Sequence, residues 1–241
     1  MTRPLPRLTL LLIGLAACCH VLGCADGGVG GSGISGSATV QGNIQDIVVG
    51  GTSAGDAGQA SGFGGVWVGI QGTDVADTTA ADGSFLLVGP IAGDRVLEFR
   101  APDTTAPSTL NLTVLDGAIT TLRDLHIIRG RVTSDEVRVT NVELQLDDDS
   151  ECSEEGGTFQ AHLTSHGNWT LAVVIQSDTE IHRVSGTSQT PLACSDLTTG
   201  ADVNIRGVLT APREITAMVV NRTKCGRPHV GSGTQPSYCP K

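Results

Sequence analysis

Alternation of apolar and polar residues is the main pattern along this chain, and it recurs in short stretches separated by glycine-rich turns. In residues 66–70 and 110–114 every second residue, counted from the first, is apolar, so these apolar side chains lie on one face of a strand. A period of two residues is typical of half-buried β-strands. Long stretches with the 3.6-residue period of a helix are missing. The pattern therefore predicts an all-β protein made of short strands.

The first half, residues 38–128, reads as consecutive strands joined by tight turns. Asp82-Gly83 marks one of these turns, since glycine supplies the positive φ that a tight hairpin requires. Apolar strand segments and turns follow one another at residues 65–68, 78–79, 82–85, 89–93, 96–99, 110–115 and 122–127. Their order resembles that of the carboxypeptidase regulatory-like family, a β-sandwich of transthyretin-like or immunoglobulin-like shape.

Domains of that family are noncatalytic additions to secreted enzymes, receptors and surface proteins. The resemblance therefore implies a scaffold or binding role for this half of the chain. One departure from the family pattern is a long glycine-rich insert at residues 50–65, between the first two predicted strands.

The second half, residues 129–224, shows the same alternation at residues 142–146, 158–163 and 169–175. Residues 197–220 look like the end of a small bacterial β-barrel family of unknown function, with an OB-like appearance, although an aspartate sits one place later than usual. We expect a second small β-barrel or β-sandwich here. The remaining residues, 225–241, form a tail.

The N-terminal region has the organisation of a lipoprotein-type signal. Arg3 and Arg7 precede an apolar run at residues 8–17, which is too short to span a bilayer. Leu15-Ala16-Ala17-Cys18 and Val21-Leu22-Gly23-Cys24 both resemble the bacterial lipobox, so Cys18 and Cys24 are the candidate lipidation sites. Residues 1–24 would form the signal and the Gly/Ser-rich residues 25–37 a flexible linker. The alternative is a plain cleaved signal with incidental cysteines.

Four of the seven cysteines lie in the second half of the chain. In an exported protein such cysteines are first interpreted as disulfides, and four cysteines allow three connectivities. We prefer Cys152–Cys194 and Cys225–Cys239, because the second pair would hold a tail with little core of its own. None of the four has the close CxxC neighbour of a zinc site.

The composition narrows the classes of partner. The chain has 32 glycines, 3% aromatic residues and a formal net charge of −10. This negative charge disfavours nucleic acid as a partner, and the membrane would be reached through the lipid anchor rather than through charge. A protein or glycan partner at the cell envelope fits the predicted export.

Two clusters could carry metal chemistry. Residues 147–155 contain six carboxylates, as calcium sites require, but lack the order of an EF-hand loop. His162, His166 and His182 are the candidate zinc ligands, yet residues four apart on a strand lie about 13 Å apart. The chain also lacks the Gly-x-Ser-x-Gly motif of serine hydrolases. We therefore assign no catalytic residue, no metal site and no cofactor.

These observations predict a noncatalytic exported lipoprotein, located in the periplasm or on the cell surface, that acts as a binding or spacer module. An alternative is a structural subunit that self-assembles into a fibre by strand addition at exposed sheet edges. In that alternative the glycine-rich N-terminal stretch acts as a donor strand or linker. A metal-dependent enzyme is the third hypothesis.

Overall fold

A computed structural model of the chain describes residues 36–49, 52–53, 63–102, 106–148, 152–153 and 155–224. Within these residues the regular elements are β-strands, apart from one 3₁₀ turn at Cys194–Asp196, so the predicted all-β class is confirmed. The strands in chain order are β1 (Ala38–Val49), β2 (Thr52–Ser53), β3 (Trp67–Ile70), β4 (Ala76–Thr78), β5 (Ser84–Gly89), β6 (Gly93–Arg100), β7 (Ser108–Val114), β8 (Ile119–Ile128), β9 (Arg131–Leu146), β10 (Gly156–Leu163), β11 (His166–Ser185), β12 (Ser188–Pro191), β13 (Asp202–Ala211) and β14 (Glu214–Lys224).

Several predicted features lie outside this range. They are the signal at residues 1–24, all but the last two residues of the linker, most of the glycine-rich insert and the tail at residues 225–241. The part of the chain that the structure describes contains no helix long and apolar enough to cross a membrane.

The strands of the first half form two layers. In one layer β1 lies between β5 and β8 and runs parallel to β8; in the other, the order is β4-β3-β6-β7. Phe85 of β5 and Phe99 of β6 meet edge to face across the layers, with ring centroids 6.0 Å apart. Alternate side chains of both layers fill the space between them, including Val40, Ile44, Val68, Leu87, Leu97, Val114 and Leu122.

The turn before β5 forms for the local reason that the sequence indicates. Gly83 has a φ of +80°, in the region that favours glycine. The Asp82 carboxylate accepts hydrogen bonds from the Ser84 hydroxyl, at 2.6 Å, and from the Ser84 backbone N–H, at 3.0 Å. Hydrogen bonds to the charged form lower the pKa of Asp82 below its ordinary value.

Five strands of the second half pair in a closed ring. The order is β9-β10-β11-β14-β13 and back to β9, and β11 with β14 is the parallel pair. Side chains that alternate inward fill this barrel, with Phe159 and Leu163 among the largest that are fully buried. Other members of the same core are Val142, Leu144, Leu171, Val173, Val203, Ile205, Ile215 and Ala217.

The two halves share strand β9. Its first part pairs with β8, from Arg131 to Thr140, and its second part pairs with β13, from Arg138 to Gln145. Ala92, Leu115 and Ala118 of the first half belong to the core of the second. The predicted boundary at residues 128–129 thus lies at a turn that leads into a strand common to both cores.

Arg213 connects the halves by a polar contact at their junction. Its guanidinium donates to the Asp94 carboxylate at 2.9 Å and lies over the ring of Trp169, 5.3 Å from the centroid. Asp94 also accepts a hydrogen bond from Thr113 at 2.9 Å. The arginine therefore holds a carboxylate of the first half against an aromatic side chain of the barrel.

Replacing Arg213 with alanine should lower the free energy of unfolding by about 1 kcal/mol, because both contacts are partly exposed to solvent. Urea unfolding measures the change. Arg206→Ala is the matched control, since Arg206 is exposed and has no ion pair within the described part of the chain. Equal losses in the two variants would show that the junction contact contributes nothing of its own.

Candidate functional site

A groove crosses the outside of the barrel where β9, β13, β14 and the end of β11 lie side by side. Its cavity volume of about 520 Å³ is in the range of small-molecule sites. The strands supply its floor and the β11–β12 hairpin one of its sides. The groove is lined by Glu143, Thr164, Val184, Gln189, Asp202, Val203, Asn204, Asn221 and Thr223.

Strand register places three polar side chains of this groove in one line. Glu143 is paired with Asn204, and Asn204 is paired with Asn221. Inward positions on either side of each residue are buried, so these three positions face outward. We call Glu143, Asn204 and Asn221 the polar row. His182 of β11 is paired with Asn221 and lies next beyond it.

The side chains of the polar row make no hydrogen bonds within the described residues. Two atoms in this region, the carboxamide oxygen of Asn221 and Nδ1 of His182, are buried and have no hydrogen-bond partner among the described residues. A buried polar atom left without a hydrogen bond costs about 1–3 kcal/mol. Within the row this applies to Asn221, whose carboxamide would turn toward the groove to meet a ligand or ordered water, whereas Glu143 is already exposed there.

A second line of side chains, parallel to the polar row, is internally satisfied. Gln145 donates its amide to Asp202 at 2.9 Å, and the Thr223 hydroxyl donates to the backbone carbonyl of Asp202 at 3.2 Å. Nδ1 of His162 contacts the carboxylate of Asp147. The contacts of Asp202 and Thr223 hold one side of the groove, whereas the side chains of the polar row have no such partners.

The candidate metal ligands are placed apart from a common centre. His162 contacts Asp147, whereas His182 lies beside the polar row, and only the backbone of His166 is described. Asp148 accepts the backbone N–H of Gln160 at 3.0 Å. Within the described residues, which omit much of the acidic run, no three His, Cys, Asp or Glu side chains are grouped as metal ligands.

Cys152 and Cys194 form a disulfide with Cα atoms 5.5 Å apart, the pairing preferred from the sequence. Cys225 and Cys239, like the candidate lipidation residues Cys18 and Cys24, lie outside the described residues.

A second cavity of about 510 Å³ adjoins the disulfide. The Thr179 hydroxyl in this cavity accepts a hydrogen bond from the Gln176 N–H and donates one to the Ala217 carbonyl. Unlike the polar row, it therefore already has hydrogen-bond partners.

Sequence reasoning did not find the polar row. Asparagine is depleted in strands, so Asn204 and Asn221 within strands of apolar alternation were a signal that could have indicated function. Comparison of the chain with protein-family models, with curated proteins and with solved structures gives no match. The resemblances that the sequence indicates for each half therefore stay predictions.

Proposed function

We propose that this protein is a noncatalytic binding module, exported and held at the cell envelope by a lipid on Cys18 or Cys24. The observation that carries the binding role is the groove on the barrel, where the buried Asn221 oxygen and its neighbours in the polar row lack partners. Polar groups that converge in a cavity without satisfying one another are typical of binding sites.

The scaffold supports the same role. Small five-stranded barrels of the OB class bind oligonucleotides and oligosaccharides on their outer surface. The formal charge of −10 opposes the phosphate backbone of the first ligand class. A neutral or cationic partner at the envelope is consistent with this charge and with the predicted export.

Assembly by strand addition receives less support from the sheet edges. Two of the edge strands, β4 and β12, span only three and four residues, and β12 ends at Pro191. At the edge of β5, the Asp77 carboxylate accepts the Leu86 N–H at 2.8 Å. Short strands and capped edges are ways in which proteins avoid pairing with other chains. We therefore expect the full chain, kept in detergent, to elute as a monomer in size exclusion.

Intact mass of the protein expressed in a bacterial host tests the anchor. We expect a diacylglyceryl addition on Cys18 or Cys24, with the thiols of the four later cysteines alkylated only after reduction. The reason is that both lipobox-like segments precede a linker, and an oxidising compartment preserves disulfides. A chain without lipid would contradict the anchor, and thiols alkylated without reduction would contradict the disulfides.

Binding itself is tested by immobilising the full chain and adding a solubilised envelope fraction with and without prior protease treatment. We expect saturable binding that the double variant Asn204→Ala/Asn221→Ala loses. Asn111→Ala is the matched control, because Asn111 is an exposed strand asparagine in the first half. Binding that survives in the double variant, or no binding at all, would contradict the proposed site.

A further inference from the structure

We infer that the groove on the barrel binds a neutral saccharide through hydrogen bonds from its hydroxyl groups to the polar row. This inference rests on the proposed binding function and adds to it the chemical class of the ligand. The three side chains of the polar row leave hydrogen-bonding capacity unused within the described residues.

The unused capacity of the row mixes acceptors with donors. The Glu143 carboxylate only accepts, whereas the carboxamides of Asn204 and Asn221 each offer an acceptor and two donors. A single hydroxyl both donates and accepts, so adjacent hydroxyls of one molecule can satisfy a carboxylate and a carboxamide at once. A sugar ring presents several such hydroxyls, which matches the row better than a group with only one hydrogen-bonding role.

The spacing of the row also fits an extended ligand. Neighbouring strands lie about 4.8 Å apart, so the three side chains extend over about 10 Å across β9, β13 and β14. A single small ion could contact only one or two of them. Successive hydroxyl-bearing rings of an oligosaccharide can reach all three, while Val184 at the side of the groove can contact the C–H faces of the rings.

A charged ligand would leave more of the groove's hydrogen-bonding groups without partners than a neutral saccharide would. Two carboxylates, Glu143 and Asp202, line it and disfavour anions. Asp202 already accepts the amide of Gln145, and the described residues do not group a third carboxylate, histidine or cysteine with them as a cation site. A protonated amine would pair with Glu143 but would offer nothing to accept from the carboxamide N–H groups of Asn204 and Asn221.

The test is an array of neutral mono- and oligosaccharides with gluco, galacto and manno configurations, probed with the full chain, followed by calorimetric titration of the best binder. We expect at least one saccharide to bind. Glu143→Gln and Asn221→Ala should each weaken that binding about tenfold, because the first replaces a charged acceptor oxygen with an N–H donor and the second removes the carboxamide. Asn111→Ala should leave the affinity unchanged.

The controls separate the two levels of the proposal. Glu143 is exposed and glutamine has its shape, so failure to fold does not explain a loss in that variant. If no saccharide of the array binds, but spermidine or a lysine-rich peptide binds and loses affinity in Glu143→Gln, the saccharide class is wrong and the binding site stands. If a saccharide binds equally well to all variants, the assignment to the polar row is wrong. If neither the array nor the envelope fraction binds, both proposals fail.

Discussion

Replacing Phe159 with alanine should lower the free energy of unfolding by about 3–5 kcal/mol, the range for a buried phenylalanine truncated to a methyl group. Phe159 lies on β10, is fully buried and belongs to the core inside the ring of barrel strands. Its β10 neighbours Ala161 and Leu163 also point inward. Removal of the phenyl group would therefore leave a cavity enclosed by strands that are paired on both sides, and these strands cannot easily move together to fill it.

Chemical denaturation of the full chain, followed by far-UV circular dichroism, measures this loss. Leu86→Ala is the matched control: Leu86 is also an apolar strand residue, but 52% of its surface is exposed. We expect a change within about 0.5 kcal/mol there. Similar losses at Phe159 and Leu86 would mean that the barrel interior is not the packed core described above.

Removing the Cys152–Cys194 disulfide should lower stability by about 4 kcal/mol according to the chain-entropy account of a loop of this length. The two cysteines are 42 positions apart, and the loop between them contains β10, β11 and β12. In the unfolded chain the bond restricts all of this segment. In the folded chain it joins the 3₁₀ turn at Cys194–Asp196 to the connection between β9 and β10.

The double variant Cys152→Ser/Cys194→Ser gives the measurement, through its midpoint in guanidinium chloride. Cys152→Ser alone serves as the comparison, and it should lose as much as the double variant, because one cysteine without its partner closes no loop. An unchanged midpoint in both variants would contradict a structural role for this bond.

Local sequence patterns predict the individual strands better than their lengths. Alternation at residues 142–146 and 169–175 marks parts of β9 and β11, which in fact extend over 16 and 20 residues. The pairing of β11 with β14 shifts register between Ile175 and Glu180. Such irregularities interrupt the period of two, so a continuous strand appears in the sequence as separate short segments.

The ring closure and the polar row depend on contacts between distant segments. Glu143, Asn204 and Asn221 lie in one row because of two separate strand pairings. The register of β13 with β9 places Asn204 beside Glu143, and the register of β13 with β14 places Asn221 beside Asn204. Close backbone approach also contributes: a Cβ on Gly207 would lie 2.4 Å from the Thr216 carbonyl oxygen. Residue patterns along one segment do not contain such cross-strand relations, which explains why the sequence did not predict the groove.

Hydrogen–deuterium exchange of the full chain, with and without the soluble envelope fraction, tests most directly whether the protein binds through this groove. The account predicts slower amide exchange in the segments that carry the polar row, at residues 142–145, 202–206 and 219–223, with little change in β3 to β6. Protection confined to the first half, or an exchange pattern that the fraction leaves unchanged, would contradict it.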